Sequence, residues 1–246
     1  MTDSRTLSLS GKRILLTGGT TGIGRATLRA LAAEGARLLT FGRHQETLDE
    51  ALAGIEGEVT GIAADAASPD GIEQVFAQVD ARLGGIDILV ACAALGAQPI
   101  HEMEDADWRY VIDANLTGYL ACARAAILRM EEQGDGGHLL FVGSISAEIK
   151  AAGESVYAAT KAGIQAFAET LRKEVADKRI RVSVIQPGSV DTEMQECSDD
   201  EKQDAIADGR MLPAEHVADA ILFVLTRSAN CDIVNLRIEP LRQKTA

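Results

Sequence analysis

Short apolar runs alternate with longer amphipathic stretches along most of the chain. Runs rich in β-branched residues and bounded by turn residues are typical of buried strands, whereas apolar positions three or four apart are typical of helices. The pattern predicts seven strands, at Arg13–Thr17, Ala36–Phe41, Val59–Ala63, Ile86–Ala91, His138–Val142, Ile180–Gln186 and Asp232–Leu236. It predicts helices between them, at Gly22–Glu34, Gln45–Ile55, Asp70–Leu83, Asp105–Glu131, Ser155–Asp177 and Ala214–Thr226.

This alternation indicates an α/β fold with a mostly parallel sheet and helices on both faces. The 246 residues fit one large domain, 1–246, because no long linker or internal repeat divides them. In such a sheet, ligands bind beyond the carboxyl ends of the strands, where the strand order reverses. We therefore expect functional residues directly after strands.

The segment that follows the sixth predicted strand is strongly acidic. Asp191 to Asp208 contains eight acidic residues and a single base, Lys202. A short surface helix, a mobile lid and a solvated loop would each have this composition. We predict a substrate lid at about residues 189–212.

Net charge argues against two classes of partner. The chain has 37 acidic and 24 basic residues, a formal charge of -13, which repels a nucleic-acid backbone and an anionic membrane surface. The first twelve residues are polar, and no continuous apolar run approaches the roughly 18 residues that a membrane span requires. We expect a cytoplasmic protein that binds neither nucleic acid nor membrane.

Cysteine and histidine are scattered along the chain. Neither forms the close pairs that are typical of a disulfide framework or a metal site, so reduced thiols and no metal are expected. The residues are Cys92, Cys122, Cys197, Cys231, His44, His101, His138 and His216.

A glycine-rich turn follows the first predicted strand and opens the first helix. It reads Thr-Gly-Gly-Thr-Thr-Gly-Ile-Gly over 17–24. Glycines allow a tight turn and a close backbone approach, and free N–H groups at a helix N-terminus favour a pyrophosphate. The turn predicts dinucleotide binding. A nucleotide P-loop is disfavoured because Arg25-Ala26, rather than Lys-Ser/Thr, follows the last glycine.

Tyr157 and Lys161 are four residues apart, and a helix would place both on one face. Two unit charges about 4 Å apart interact by roughly 4 kcal/mol at an effective dielectric of about 20. A neighbouring ammonium would therefore lower the pKa of the phenol from about 10 and make it a usable acid/base. The same spacing occurs on ordinary amphipathic helices, so its weight depends on the glycine turn.

Together, the glycine turn, Ser144, Tyr157-x-x-x-Lys161 and Pro187-Gly188 resemble the short-chain dehydrogenase/reductase family over nearly the whole chain. The resemblance implies a single-domain Rossmann fold with a doubly wound, seven-stranded parallel sheet. It also implies a nicotinamide cofactor, reversible hydride transfer between a small-molecule carbonyl and an alcohol, and a homotetramer or homodimer.

The resemblance implies four catalytic residues. Tyr157 would be the general acid/base, and Ser144 would orient the carbonyl oxygen by a hydrogen bond. Lys161 would lower the pKa of Tyr157 and bind the nicotinamide ribose. Asn115, on the helix between the fourth and fifth strands, would hold a water that links Lys161 to solvent.

The resemblance also implies a set of cofactor-binding residues, in which Asp65 and Ala66 hold the adenine. An aspartate in that place could equally cap the next helix. The full set is Gly18, Thr20, Gly22, Ile23, Gly24, Arg43, Asp65, Ala66, Ala93, Tyr157, Lys161, Pro187, Gly188, Val190 and Thr192.

One segment departs from the family pattern. The family commonly has Asn-Asn-Ala-Gly after the fourth strand, where this chain has Ala91-Cys92-Ala93-Ala94. The change removes two side-chain amides that help to brace the central strands. We expect the backbone contacts of Ala93 with the cofactor to survive, and Cys92 to be a small buried apolar residue.

The end of the second strand bears on the choice of cofactor. An NAD site usually has an acidic residue there, but this chain has Gly42 followed by Arg43, whose planar cation suits a phosphate. NADP(H) is therefore favoured over NAD(H). A surface arginine that caps the next helix is the alternative.

Other functions remain to be separated. An NAD-dependent alcohol dehydrogenase of the same family and a non-catalytic NADP(H)-binding sensor share most of these features. A Rossmann methyltransferase would present an acid near Gly42, and a nucleotide-sugar epimerase would need a longer chain. Topology alone suggests the substrate-pocket walls Leu95, Ile145, Ser146, Lys150, Gly188 and Met194.

Overall fold

A parallel sheet of seven strands forms the centre of the protein in the residues that the computed structural model describes, 6–195 and 197–243. The strands are β1 (Arg13–Thr17), β2 (Arg37–Gly42), β3 (Val59–Ala63), β4 (Ile88–Ala91), β5 (Gly137–Val142), β6 (Ile180–Pro187) and β7 (Asn235–Ile238). Their order is β3-β2-β1-β4-β5-β6-β7. The order reverses between β1 and β4, so a ligand crevice is expected at the carboxyl ends of those strands.

Helices cover both faces of the sheet. They are α1 (Gly22–Ala33), α2 (Gln45–Leu52), α3 (Pro69–Gln78), α4 (Asp105–Ile112), α5 (Gly118–Gln133), α6 (Ser155–Glu174), α7 (Asp199–Ala207) and α8 (Ala214–Leu225). Apolar residues of α3, α5 and α6 pack on one face, and those of α1 and α8 pack on the other. The predicted doubly wound α/β fold is confirmed.

Strand β1 illustrates why the apolar runs predicted the sheet. Leu15 belongs to the core on one face, while Ile14 and Leu16 belong to the core on the other. Because both faces of a parallel sheet are covered by helices, its strands are continuously apolar rather than alternating.

The last strand begins three residues and ends two residues later than predicted, at Asn235–Ile238 rather than at Asp232–Leu236. Its register is set by pairing with β6, where Asn235 faces Val184 and Ile238 faces Pro187. An edge strand of four residues has little periodicity of its own, so the sequence pattern could not fix this register.

The predicted helix over 105–131 contains a wider π turn at Asp113–Thr117 between α4 and α5. By length and mean hydropathy the whole stretch, Asp105–Gln133, could cross a membrane. The sequence did not indicate this, because the stretch contains no long uninterrupted apolar run. The core helix of a globular domain passes the same test, and here Cys122 and Ala126 pack into the core beneath the sheet. A second π turn follows α3, at Val79–Leu83.

The acidic segment contains a helix, α7, which is one of the three structures its composition allowed. A capping box between Ser198 and Glu201 begins the helix. The segment is anchored where Val190 forms a parallel bridge with Leu212. Glu196 lies outside the described residues.

Candidate functional site

A cavity of about 500 Å³ opens at the carboxyl ends of the central strands. This volume is typical of small-molecule and cofactor sites. Its lining contains Ser144 and every predicted cofactor-binding residue: Gly18, Thr20, Gly22, Ile23, Gly24, Arg43, Asp65, Ala66, Ala93, Tyr157, Lys161, Pro187, Gly188, Val190 and Thr192. The fold thus brings distant motifs to one crevice.

The glycine turn forms one wall of the cavity. Gly18 has φ of 70°, and a Cβ there would lie 2.6 Å from the Cα of Ala93, so a side chain is excluded by conformation and by space. The N-cap residue of α1, Thr21, makes no side-chain hydrogen bond to the first turn. The N-terminus of α1 is therefore suited to an anionic group.

Helix α6 carries Tyr157 and Lys161 into the opposite wall. The Lys161 ammonium nitrogen lies 5.6 Å from the centroid of the Tyr157 ring, as the four-residue spacing predicted. Lys161 is 1% exposed, and its Nζ donates a hydrogen bond to the carbonyl oxygen of Val142 at 2.8 Å. The lysine is therefore part of the interior rather than a solvated surface residue.

Burial controls the ionisation of both groups. It raises the pKa of Tyr157 to about 12, against the opposing effect of a hydrogen bond with Ser144. Burial likewise lowers the pKa of Lys161 to about 8. The predicted lowering of the Tyr157 pKa is thus wrong, because the loss of water on burial disfavours the charged form of each group more than its neighbours favour that form.

Ser144 follows β5 and lies beside Tyr157. Its Oγ accepts a hydrogen bond from the backbone N–H of Ser146 at 3.1 Å, which leaves the hydroxyl hydrogen available for donation. The hydroxyl of Ser146 in turn donates to a carboxylate oxygen of Glu154 at 3.0 Å. This carboxylate also raises the pKa of Tyr157, although less than burial does.

Asn115 lies behind the cavity wall, in the π turn between α4 and α5. Its Oδ1 accepts from the backbone N–H of Leu95 at 2.7 Å, and its Nδ2 donates to the carbonyl oxygen of Leu95 at 2.8 Å. The side chain is fully buried. Asn115 therefore braces the loop after β4 instead of lining the cavity.

The unusual segment after β4 is held by side chains outside it. Thr17 accepts hydrogen bonds from the backbone N–H groups of Cys92 and Ala93 at 3.1 and 3.0 Å. Together with the two hydrogen bonds of Asn115 to Leu95, these contacts hold the loop in the absence of the two side-chain amides of the family motif. Burial raises the pKa of Cys92 to about 12, so this thiol stays protonated.

Arg43 lines the cavity at the end beside β2, directly after that strand. Its Nη1 is 3.3 Å from the hydroxyl of Tyr110, and its guanidinium carbon is 5.7 Å from the centroid of that ring. A Cβ added at Gly42 would lie 2.6 Å from Cγ2 of Thr20, so an acidic residue would need Thr20 to move. The side chain of Arg43 makes no ion pair within residues 6–195 and 197–243.

Asp65 does not cap helix α3. The N-cap is Ser68, whose hydroxyl accepts from the backbone N–H of Gly71 at 3.3 Å. The carboxylate of Asp65 accepts from the N–H of Ala67 at 2.9 Å and from the hydroxyl of Tyr110. The capping alternative is therefore wrong, and Asp65 lines the cavity.

The acidic segment lies against the glycine turn. Cγ2 of Thr192 is 2.8 Å from the position that a Cβ at Gly22 would take. Cγ of Met194 is 3.2 Å from the corresponding position at Gly96. Behind them, the half-buried stem of the segment is held by an ion pair of 3.4 Å between Lys202 and Asp191. Residues 192–194 thus line the cavity beside the glycine turn.

Three of the predicted substrate-pocket residues line the cavity: Leu95, Gly188 and Met194. The other three do not. Ile145 is buried in the interior, Ser146 bonds to Glu154, and Lys150 donates to the carbonyl oxygens of Ala147 and Glu148.

Sequence reasoning missed several lining residues. His44 and Thr47 follow Arg43 in the first turn of α2, and that proximity could have indicated them. Nothing in the sequence signalled Tyr110, because an aromatic residue on an amphipathic helix is typical of a core position. The other missed lining residues include Phe41, Ala64, Cys92, Gly96, Ala114, Val142, Gly143, Glu193 and Gln195.

The cysteines and possible metal ligands are dispersed in the structure as well. All four cysteines are free thiols. Within the described ranges, no group of three or more His, Cys, Asp and Glu residues is placed to hold a metal ion.

Comparisons with known proteins give one consistent result. Residues 12–203 match the short chain dehydrogenase family. The chain is 31% identical over 231 residues to a 3-oxoacyl-[acyl-carrier-protein] reductase of Escherichia coli, covering 91% of this chain and 93% of that protein. An uncharacterized oxidoreductase of Staphylococcus haemolyticus is 30% identical over 235 residues, covering 95% and 99%. A crystal structure of a short-chain type dehydrogenase/reductase from Mycobacterium marinum superposes with a TM-score of 0.83 at 31% identity, over 94% and 95% of the two chains.

Proposed function

Because this chain belongs to the short-chain dehydrogenase/reductase family of oxidoreductases, we propose that it is an NADP(H)-dependent enzyme acting on a carbonyl and its secondary alcohol. One observation carries the proposal. A single cavity has the glycine turn at one end and Ser144, Tyr157 and Lys161 at the other. A dinucleotide needs an anion-binding turn and a reactive centre in one continuous crevice.

The residues present fit such a cofactor. The glycine turn packs directly against Ala93, where a Cβ at Gly18 would not fit, and the first turn of α1 carries no side-chain cap from Thr21. Both features suit a pyrophosphate. When bound, the nicotinamide supplies or accepts the hydride.

Three features support the phosphate-bearing form of the cofactor. They lie at the adenosine end of the cavity, which is the end lined by Arg43, His44 and Thr47. Arg43 offers a guanidinium that makes no direct ion pair within the described residues, and Gly42 places no charge at the usually acidic position. His44 and Thr47 add polar groups at the N-terminus of α2. A planar guanidinium beside a helix N-terminus is a favourable place for a 2′-phosphate.

The catalytic roles follow from geometry and ionisation. A Tyr157 phenol with a pKa of about 12 is protonated at neutral pH and can donate its proton to a carbonyl oxygen. Ser144, whose Oγ accepts from the backbone N–H of Ser146 and whose hydroxyl bonds to Tyr157, orients the same oxygen by a hydrogen bond. The Lys161 ammonium stabilises the phenolate left on Tyr157, and Asn115 fixes the loop after β4 beside these residues by its two hydrogen bonds to Leu95.

We also infer the wider context from supporting features. Leu120 and Leu128 are exposed on α5, which supports a homodimer or homotetramer through that helix. Residues 189–212 would act as a lid over the substrate, and the enzyme would act in the cytoplasm on a small molecule. Light scattering of the purified protein tests the assembly, which a monomer at all concentrations would refute.

The test combines cofactor binding with turnover. NADPH fluorescence should change on binding, and absorbance at the NADPH band should fall when a carbonyl is added. The panel includes ketones, aldehydes and a 3-oxoacyl thioester, because one relative is named as a reductase of 3-oxoacyl groups. NADPH binding without turnover on the panel would favour the non-catalytic sensor, and preferred binding of NADH would favour an NAD-dependent enzyme.

A further inference from the structure

Tyr110 connects the two charged residues at the adenosine end of the cavity. Its hydroxyl oxygen lies 3.0 and 2.9 Å from the two carboxylate oxygens of Asp65. The Nη1 of Arg43 lies 3.3 Å from the same hydroxyl, and the guanidinium carbon lies 5.7 Å from the ring centroid. Tyr110 comes from α4, whereas Arg43 follows β2 and Asp65 follows β3.

The direction of these hydrogen bonds follows from their donors. A carboxylate can only accept and a guanidinium can only donate, so the single hydroxyl hydrogen of Tyr110 goes to Asp65 and its oxygen accepts from Arg43. In a chain of this kind each bond polarises the next, so a hydroxyl that donates to a carboxylate is a stronger acceptor. The chain therefore runs from Arg43 through Tyr110 to Asp65.

Arg43 depends on this contact for its position. The side chain is exposed and makes no ion pair in the described parts of the chain, and its contacts with the hydroxyl and ring of Tyr110 are the ones that hold it at the cavity. A long, solvated arginine loses rotamer freedom when it binds a phosphate, and a contact that fixes it beforehand reduces that loss.

We propose that Tyr110 is a positioning residue that holds the guanidinium of Arg43 at the adenosine end of the cavity, ready for the 2′-phosphate of the cofactor. The inference rests on the proposed preference for NADP(H) and adds a residue on which that preference depends. The preference for the 2′-phosphate then depends on two residues, Arg43 after β2 and Tyr110 in α4, which come together only when the chain folds.

Two probes isolate the phosphate contribution. Adenosine 2′,5′-bisphosphate carries the 2′-phosphate and 5′-AMP lacks it, and neither contains the nicotinamide. Their dissociation constants are measured by isothermal titration calorimetry with the full chain and with Tyr110→Phe, Arg43→Ala and the double variant. Arg109→Gln is the matched control, because it changes a cation on the same helix that pairs with Asp105 outside the cavity.

Tyr110→Phe keeps the ring and removes the hydroxyl. We expect it to weaken adenosine 2′,5′-bisphosphate binding about 5-fold, which corresponds to about 1 kcal/mol, and to change 5′-AMP binding less than about 2-fold. Arg43→Ala should weaken the bisphosphate more than 10-fold. In the Arg43→Ala background, Tyr110→Phe should have no further effect on the ratio of the two affinities, because the hydroxyl acts through the guanidinium. Arg109→Gln should leave both affinities unchanged.

The outcomes separate this inference from the proposed function. If Arg43→Ala leaves the ratio of the affinities for the two probes unchanged, both the preference for NADP(H) and the inference are overturned. If Arg43→Ala changes this ratio and Tyr110→Phe does not, the inference alone is overturned. An equal loss for both probes in Tyr110→Phe would also overturn it, because a residue that merely covers the adenine affects both ligands. Thermal melting of each variant verifies that it is folded.

Discussion

The Lys161 ammonium is bonded to the carbonyl oxygen of Val142, the last residue of β5, at 2.8 Å. The contact crosses from α6 to the central sheet, so the position of the cation is fixed by the fold rather than by the neighbouring phenol of Tyr157. Because the ammonium is buried, its charge is sensitive to pH near the neutral range.

The first prediction concerns this charge. Burial lowers the pKa of Lys161 to about 8, so the ammonium is present below that pH and is lost above it. We expect kcat/KM for NADPH to fall with a midpoint near pH 8, since this parameter reports groups of the free enzyme. The measurement is initial-rate kinetics between pH 6 and 10 at saturating carbonyl.

Lys161→Arg is the control for this profile. A guanidinium stays charged across the whole range, so the variant should lack the fall near pH 8 even if its rate is lower. A wild-type plateau that extends to pH 10 would contradict the assignment.

The second prediction is that Tyr157→Phe binds NADPH but loses about 10²- to 10⁴-fold in kcat, the usual contribution of a positioned general acid. The ring and its packing remain, and only the proton is removed. Fluorescence titration gives the affinity, and NADPH consumption gives the rate. Activity near that of the wild type would exclude Tyr157 as the proton donor.

The third prediction concerns acid stability and His138. This side chain is 2% exposed, its Nε2 lies 2.8 Å from the hydroxyl of Ser183, and burial lowers its pKa to about 3. The unfolded chain therefore binds a proton near pH 6.5 that the folded protein does not bind until far lower pH. Stability must fall as the pH drops below 6.5, by about 2 kcal/mol between pH 7 and 5 from this residue alone.

Urea unfolding at pH 7, 6 and 5 checks this value. His138→Gln removes the titrating group, so its free energy of unfolding should vary with pH by about 2 kcal/mol less than that of the wild type. Parallel pH profiles for the two proteins would show that His138 does not titrate in this way.

The fourth prediction concerns the acidic segment beside the cavity. Lys202 is 9% exposed and pairs with Asp191, which ties α7 to the start of the acidic segment after β6. Lys202→Ala should raise hydrogen exchange within 199–212 about 10-fold while changing exchange in the central strands little, because local opening needs fewer broken contacts than global unfolding. Lys202→Arg keeps the cation and serves as the control. Equal exchange in Lys202→Ala and the wild type would mean that the ion pair does not hold the segment.

The strands and most helices were predictable because their signal is local. A buried parallel strand such as β1 is a continuous apolar run, and a helix such as α6 shows its period over twenty residues. The register of β7 was not predictable, since it depends on pairing with β6 rather than on its own residues.

The candidate site divides in the same way. Fixed spacings indicated the glycine turn, Tyr157 and Lys161, and the cavity contains them. The ionisation of Tyr157 could not be predicted, because the desolvation that raises its pKa depends on how much chain surrounds it. Tyr110 was missed because its contacts with Arg43 and Asp65 join three elements that are distant in sequence.

The loop after β4 shows how a family signature can be lost without loss of the site. Thr17 and Asn115 hold its backbone from outside, so the side chains of Cys92 and Ala94 carry little of the anchoring. Both residues line the cavity, so substitutions there change the shape of its wall rather than the anchoring of the loop. They are also a sensible starting point for directed libraries that reshape the nearby cavity wall.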